Sequence, residues 1–376
     1  MKTFLVVHSI PSPYRLHLFC VMEERLRLRN VGFHVHFLAH QHEDFRHWRQ
    51  LPLPSFSHTF WRDRGVTLGK NRCYFHPSLV FTLSKICVDY LMIGGIWNSP
   101  TVLILTAFAR RNVGIGWIEG NTTTPGRIGG FFWFLKRWAI KRYRFLAVPG
   151  TEGRRYVNLF ERRKGEFDSV LLPNIVDEKL FAFSDAAFKR GRNSLQMGED
   201  EKIAVCSARL VPVKGLIEYV SAMTSDILGD CRIIIVGDGP LKERINRLIK
   251  ERSLSGKINI MPSVPYEQMS DIYAAADVFL LPSLQDMNPV SVVEALHSGL
   301  PLLVSNRIGN CCDALEEGVN GWSFNPIDMN DVVNASRRAF RSSRQELAAM
   351  GEFSRKIALD FWDSTSSVES FIGSVL

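Results

Sequence analysis

The sequence predicts an α/β protein of two doubly wound, Rossmann-like domains facing one another across a cleft. Three observations predict it. At 376 residues the chain exceeds the size at which a single hydrophobic core keeps growing. Strand-type and helix-type runs alternate through both halves, the pattern of parallel sheets covered by helices on each face. The halves also differ in charge. Residues 1–183 hold 26 Lys and Arg against 13 Asp and Glu, a balance of +13, while the remainder holds 20 against 25, a balance of −5.

In the first half, TFLVVHS (3–9) reads as a buried strand and PYRLHLFCVMEERLRLR (13–29) as a helix with a basic tail. FHVHFLA (33–39) alternates as a second strand, and SLVFTLSKICVDYLM (78–92) reads as an apolar helix. TVLILT (101–106) and GIGWIE (114–119) follow as strands, then a helix over 128–144, a strand over 145–150 and a helix from Thr151. Residues 40–75, rich in His, Arg and aromatics, read as loops and short strands. In the second half, strands fall at 203–207, 231–236, 258–261, 277–281 and 302–305, with helices between. LLPNIVDEKLF (171–181) is the expected crossing, giving domains of 1–174 and 175–359. The last segment, about 360–376, has helical spacing and is expected to pack back on the first domain.

Composition narrows the class. With 46% hydrophobic and 22% charged residues the chain is globular, and no Pro-, Ser- or Gln-rich tract suggests disorder. The apolar run Phe4–Val7, ended by His8, is too short for a secretory signal, and no apolar run reaches the ~18 residues that span a bilayer. Seven cysteines without a CxxC pair fit a reduced, cytoplasmic protein lacking structural zinc, so the NTT sequon at Asn121 carries little weight. No HExxH or DxD cluster calls for a metal, and no nucleic-acid module explains the basic half.

Three stretches of the second half carry chemistry. CSARLVPVKGL (206–216) leaves a strand with Arg209 and Lys214, two cations that can stabilise a departing diphosphate or simply be solvated. IIIVGDGPLKERI (233–245) places Gly237 and Gly239 in a strand-to-helix turn, where a backbone can approach a ligand closely or the turn is no more than a turn. SLQDMNPVSVVEALHSGLP (283–301) sets Asp286 eight residues before Glu294. Asn288 suits an N-cap and Pro289 the first helical position, so the amides of Val290 and Ser291 form an anion site. Glu294, one turn deeper, can accept from a ribose diol, and Asp286 from sugar hydroxyls. The bland alternative is a surface Asp and a helix Glu.

In order, SARLVPVKG, VGDGP, MPSVPYEQMSDIYAAADVFLLPS, DMNPVSVVEALHSGLP and GVNGW resemble the donor-binding domain of family-four retaining glycosyltransferases of GT-B architecture, the group 1 type. The resemblance spans about residues 170–345; the N-terminal half matches mainly in its strand–helix layout. It implies a nucleotide-diphosphate sugar as donor, with no metal cofactor. Arg209 and Lys214 fall on the diphosphate-binding pair, Glu294 on the ribose-binding second acid of the family's E-x7-E motif, and Asp286 on the first, sugar-contacting acid. The Asn288–Ser291 turn would cradle the phosphates. The first acid departs from the pattern, being one methylene shorter, which puts the donor-sugar contact in question.

A second departure lies after the first strand, where many relatives have a Gly-rich loop and this chain has HSIPSPYRLHLF. Arg15 there either faces acceptor or donor phosphate or is a plain helix-start cation. Glu119, at a strand end where relatives often carry His, either orients an acceptor hydroxyl or caps the next helix. Asn121 is placed beside it on the acceptor side. GGFFWFLKRWAIKRYRF (129–145) mixes aromatics and cations, the composition of an interfacial segment for an anionic membrane or of a core helix with a solvated basic face. The expectation is a cytoplasmic, peripheral-membrane retaining glycosyltransferase acting on a glycan or lipid-linked acceptor in bacterial surface-polysaccharide or lipopolysaccharide synthesis. The rivals are a nucleotide-sugar epimerase or glycan phosphorylase of the same frame, an exported sugar-binding protein, and a non-catalytic scaffold.

Overall fold

The computed structural model describes residues 1–39, 54–62, 65–68, 71–85, 88–95, 99–108, 113–122, 130–161, 163 and 165–376. Two compact units emerge: residues 1–174 with 364–376, and residues 175–363.

The first unit runs β1 (Lys2–His8), α1 (Pro13–Leu28), β2 (Val31–Phe37), β3 (His58–Phe60), β4 (Gly65–Leu68), β5 (Asn71–Tyr74) and α2 (Pro77–Lys85). It continues through β6 (Tyr90–Gly94), α3 (Pro100–Phe108), β7 (Val113–Trp117), α4 (Phe131–Ile140), β8 (Phe145–Val148), α5 (Thr151–Asn158) and β9 (Asp168–Leu171). Its main sheet is parallel, in the order β3-β2-β1-β6-β7-β8-β9. Phe4–Val7 of the central β1 are all buried, as a strand covered on both faces requires.

In the second unit α6 (Glu178–Phe181) and α7 (Asp185–Leu195) precede β10 (Ile203–Ser207), α8 (Leu216–Ala222), α9 (Ser225–Leu228), β11 (Arg232–Val236) and α10 (Lys242–Glu251). Then come β12 (Ile258–Met261), α11 (Tyr266–Ala274), β13 (Val278–Leu281), α12 (Val290–His297), β14 (Leu302–Ser305) and α13 (Cys311–Ala314). β15 (Gly321–Phe324), α14 (Met329–Arg341) and α15 (Arg344–Trp362) complete it. The sheet order β12-β11-β10-β13-β14-β15 is the doubly wound order, which reverses direction between β10 and β13.

After Asp363 the chain returns to the first unit as α16 (Ser364–Val375). Val368, Phe371, Ile372 and Val375 are buried at helical spacing, each burial contributing about 1.5–3 kcal/mol. His17 bonds Ser364 Oγ at 2.9 Å, and Arg29 of the C-terminal end of α1 pairs with Glu369.

Some elements differ from the sequence reading. Residues 101–106 are helical, not a strand: Ser99 caps the turn, its carbonyl accepting from Leu103 at 3.0 Å, and Pro100 starts α3. A short apolar run has no decisive period; here the parallel pair β6–β7 needs a crossover, and this segment supplies it. The helix expected over 78–92 ends at Lys85, because Tyr90–Gly94 joins β1 and β7 in the sheet. The helix expected over 128–144 is Phe131–Ile140, with 128–129 outside the described residues, as are Cys87 and much of 40–75. Two four-residue edge strands, β9 and β15, went unread.

In the second unit α7 lies on α11 with no room for a side chain at Gly191. A Cβ there would sit 1.9 Å from the Asp271 carbonyl oxygen and 2.7 Å from Ala275 Cβ. In an open helix Gly→Ala gains about 1 kcal/mol. Gly191→Ala is instead expected to destabilise by about 1–3 kcal/mol through overpacking, read as a lowered thermal midpoint; a raised midpoint would refute the close approach.

Candidate active site

In a doubly wound sheet, ligands bind beyond the carboxyl ends of the strands at the reversal point. Within the second unit that point lies between the loops after β10 and β13, and the candidate residues of both loops lie there.

Three glycines bring the loops after β10, β11 and β13 together. Gly215, with φ +66°, would drive a Cβ to 2.1 Å from the Pro282 carbonyl oxygen, so only a residue without a side chain permits the contact. Gln285 then donates its amide to the Val213 carbonyl at 3.2 Å. A Cβ on Gly237 would meet the Ala208 carbonyl oxygen at 2.0 Å, and one on Gly239 the Leu210 carbonyl oxygen at 2.5 Å. The Gly237 turn therefore lets the loop after β11 pack backbone to backbone on the loop after β10. Between the two glycines, Asp238 accepts from Ser263 N at 2.8 Å and Lys242 Nζ at 3.1 Å. Those bonds, led by the Ser263 amide, hold its carboxyl down to about 2.

The interlock brings Lys214 to Asp286, and the two form an ion pair with side chains 15% and 18% exposed. Arg209, on the same loop as Lys214, is exposed. The Asp286 backbone is gripped from the other side, its carbonyl accepting from Gly309 at 3.1 Å. Asn310 donates its side-chain amide to the Pro289 carbonyl at 3.0 Å. These clamps fix the approach to α12.

That helix begins one residue later than the sequence suggested. Pro289, at φ −67° and ψ 117°, is the N-cap, and no side chain caps the turn. An extended ψ excludes Pro289 from the first helical position, and the Asn288 Oδ1 is buried without a partner instead of capping. Val290 and Ser291 are the first helical residues, and their amides lack intrahelical acceptors as first-turn amides do.

Glu294, one turn on, is buried and accepts from Tyr273 Oη at 2.8 Å. Burial pushes its carboxyl up to about 7, against a smaller opposite pull from the Tyr273 hydrogen bond. The two acids thus differ in kind: Asp286 is paired with a cation, Glu294 is buried against a phenol. Sequence reasoning missed Tyr273, Asn310 and Asp238. A tyrosine in the otherwise apolar IYAAA run was the available signal, since a buried hydroxyl needs a partner.

In the first unit, Arg15 is only 1% exposed and pairs with Glu119, which is 40% exposed. Its guanidinium lies 4.0 Å from the Trp117 ring and 4.7 Å from that of Tyr14. Arg15 is therefore a buried cation, not a solvated helix-start residue. His8, enclosed nearby, is pushed down to about 3 by burial and then by Arg15, so it stays neutral at physiological pH. Asn121 is buried.

On α4, Phe131, Phe132 and Phe134 are exposed, while Arg137 turns inward to Glu166 at 2.8 Å and Lys136 reaches Tyr156 Oη at 3.1 Å. The solvated face is thus aromatic, not the basic face of the core-helix alternative. Among the described residues no group of three His, Cys, Asp or Glu side chains gathers to hold a metal, and no helix is long and apolar enough to cross a membrane.

Residues 188–357 match the family model described as glycosyl transferases group 1. This stretch is a group 1 glycosyltransferase domain. Over 154 residues the chain is 34% identical to sulfoquinovosyl transferase SQD2 of Arabidopsis thaliana, covering 39% of this chain and 28% of that protein. Over 200 residues it is 30% identical to a GDP-mannose-dependent alpha-(1-6)-phosphatidylinositol monomannoside mannosyltransferase of Mycolicibacterium smegmatis, covering 51% and 52%. The matches thus span about half or less of these relatives. The fold is that of GT-B glycosyltransferases. Anabaena Alr3699/HepE, solved in complex with UDP-glucose, superposes with a TM-score of 0.73 at 15% identity, covering 100% of this chain and 99% of that one.

The folded value of Glu294 lies above its ordinary 4.5, so its contribution to stability is full below about 4.5 and is lost as pH rises to about 7. Glu294→Gln keeps an acceptor for Tyr273 and removes the ionisation. Its stability relative to wild type is expected to improve by on the order of 2–3 kcal/mol between pH 5 and pH 8, measured by denaturant unfolding. A pH-independent difference would show that Glu294 ionises normally.

Proposed function

We propose that the chain is a retaining glycosyltransferase that moves a sugar from a nucleoside-diphosphate sugar, bound by the second unit, to a glycan or lipid-linked acceptor bound by the first. The observation that carries this reading is the reversal-point cluster: Lys214 against Asp286, the first-turn amides of α12, and the buried Glu294 behind them. A diphosphate needs cations and amide donors, a ribose diol needs a fixed carboxylate, and a hexose needs an acceptor for its hydroxyls. The donor named for the M. smegmatis relative, GDP-mannose, and the UDP-glucose bound by the Anabaena protein belong to the same class.

On this reading Arg209 and Lys214 take up charge on the departing diphosphate, assisted by the amides of Val290 and Ser291 in the Asn288–Ser291 turn. Asp286 reads a sugar hydroxyl while holding Lys214, and Glu294 accepts from the ribose. The C1–phosphate bond breaks as the acceptor oxygen attacks the same face, and the acceptor's proton passes to the leaving phosphate oxygen. Glu119, oriented by Arg15, aligns the acceptor hydroxyl, with Asn121 beside it. No step requires a metal. The setting is the cytoplasmic face of a bacterial membrane, in surface-polysaccharide synthesis, with the exposed aromatics of α4 entering an anionic interface beside Lys141 and Arg142.

Two experiments test the parts. The purified chain, given a panel of UDP- and GDP-sugars and a lipid-linked acceptor extract, is expected to release nucleoside diphosphate only when acceptor is present. Lys214→Ala should slow this about 10²-fold or more. Turnover without acceptor would favour an epimerase, and turnover untouched by Lys214→Ala would remove the phosphate assignment. For the membrane, co-sedimentation with phosphatidylglycerol-containing vesicles should fall sharply when Phe131, Phe132 and Phe134 are replaced by Ser. Binding that survives the triple change would exclude α4 as the docking element.

A further inference from the structure

Tyr273 on α11 is fully buried, and Glu294 on α12 is 8% exposed. The Tyr273 ring is held by Phe181 and Phe279, each with its centroid 5.9 Å away. Its hydroxyl donates to Glu294 Oε2 at 2.8 Å, and a phenol has one proton, so that proton is committed to the carboxylate behind the α12 N-terminus.

A carboxylate with both oxygens unengaged turns readily about its last torsion, which is broad. With Oε2 tied to a side chain that cannot move, the plane of the carboxylate is fixed and Oε1 is the oxygen left for a ligand hydroxyl. We infer that Tyr273 is a positioning residue for the nucleotide: it locks Glu294 so that Oε1 meets the ribose diol, and thereby sets a preference for ribonucleotides over 2′-deoxyribonucleotides. This rests on the reading of the second unit as the nucleotide site. The physical ground is that a site built to bond a hydroxyl rejects the analogue lacking it, because the buried acceptor is left unpaired.

The test is equilibrium titration of the full chain with UDP, GDP and their 2′-deoxy forms, for wild type, Tyr273→Phe and Glu294→Asp. Wild type is expected to bind one of the two ribonucleotides about tenfold or more tightly than its 2′-deoxy form. Tyr273→Phe keeps the ring and should weaken the ribonucleotide about tenfold while leaving the deoxy form nearly unchanged, so that the preference collapses. Glu294→Asp keeps the charge but draws the carboxylate away from the Tyr273 hydroxyl and should reduce the same preference in the same direction, which keeps the inference open to test if Tyr273→Phe folds poorly. A preference unchanged in both variants, or affinities for the two forms lowered equally, would make Tyr273 a core residue and overturn the inference while the nucleotide site stands. Failure of wild type to bind either ribonucleotide would overturn both.

Discussion

The loops after β10 and β13 touch backbone to backbone at Gly215, where a Cβ would lie 2.1 Å from the Pro282 carbonyl oxygen. Everything proposed for the second unit hangs on that contact. It lets Lys214 and Asp286 meet, and it fixes where the chain enters α12. Side chains set the chemistry, but the absence of one side chain sets the distance at which it happens. The same device recurs at Gly237 and Gly239 against Ala208 and Leu210, so three strand-end loops are locked by glycine contacts into one ligand-facing edge. Preorganisation of this kind places cations and amides before a diphosphate arrives, so their charge does not have to be gathered during the reaction.

The two acids, eight residues apart in sequence, have been given opposite environments. Asp286 sits in an ion pair with Lys214 in a partly accessible loop. Glu294 lies one helical turn inside α12, buried, with burial pushing its carboxyl up to about 7. A pair so divided is poorly suited to a shared acid–base step and well suited to reading two different parts of one ligand. The shorter Asp at the first position is also within reach of Lys214, so the missing methylene does not leave the loop without its counter-ion.

Much of this was legible in the sequence because parallel strands read as unbroken apolar runs and their ends carry the polar residues. The β10 and β13 loops were found that way, with Arg209, Lys214, Asp286 and Glu294 named from residue type and position. What escaped had physical causes. The segment 101–106 is apolar all along its length, so its period could not tell strand from helix, and the need for a crossover decided it. The N-cap of α12 moved from Asn288 to Pro289 because the clamp from Asn310 on the Pro289 carbonyl is a long-range contact that no local pattern encodes. Tyr273 was invisible for the same reason: its partner lies on another helix. The burial of Arg15 had no local signal either, because Trp117, which covers it, lies about a hundred residues away in sequence.

The central claim is that the Gly215 contact builds the diphosphate site, and it is tested most directly by nucleotide affinity in Gly215→Ala. Binding of UDP, GDP and the corresponding monophosphates would be measured in the folded variant and in wild type. The account predicts that wild type favours the diphosphate, and that Gly215→Ala loses about tenfold in diphosphate affinity with little change for the monophosphate. Equal diphosphate binding by the two proteins would contradict it, and the loops would then have to be assembled by something other than that contact.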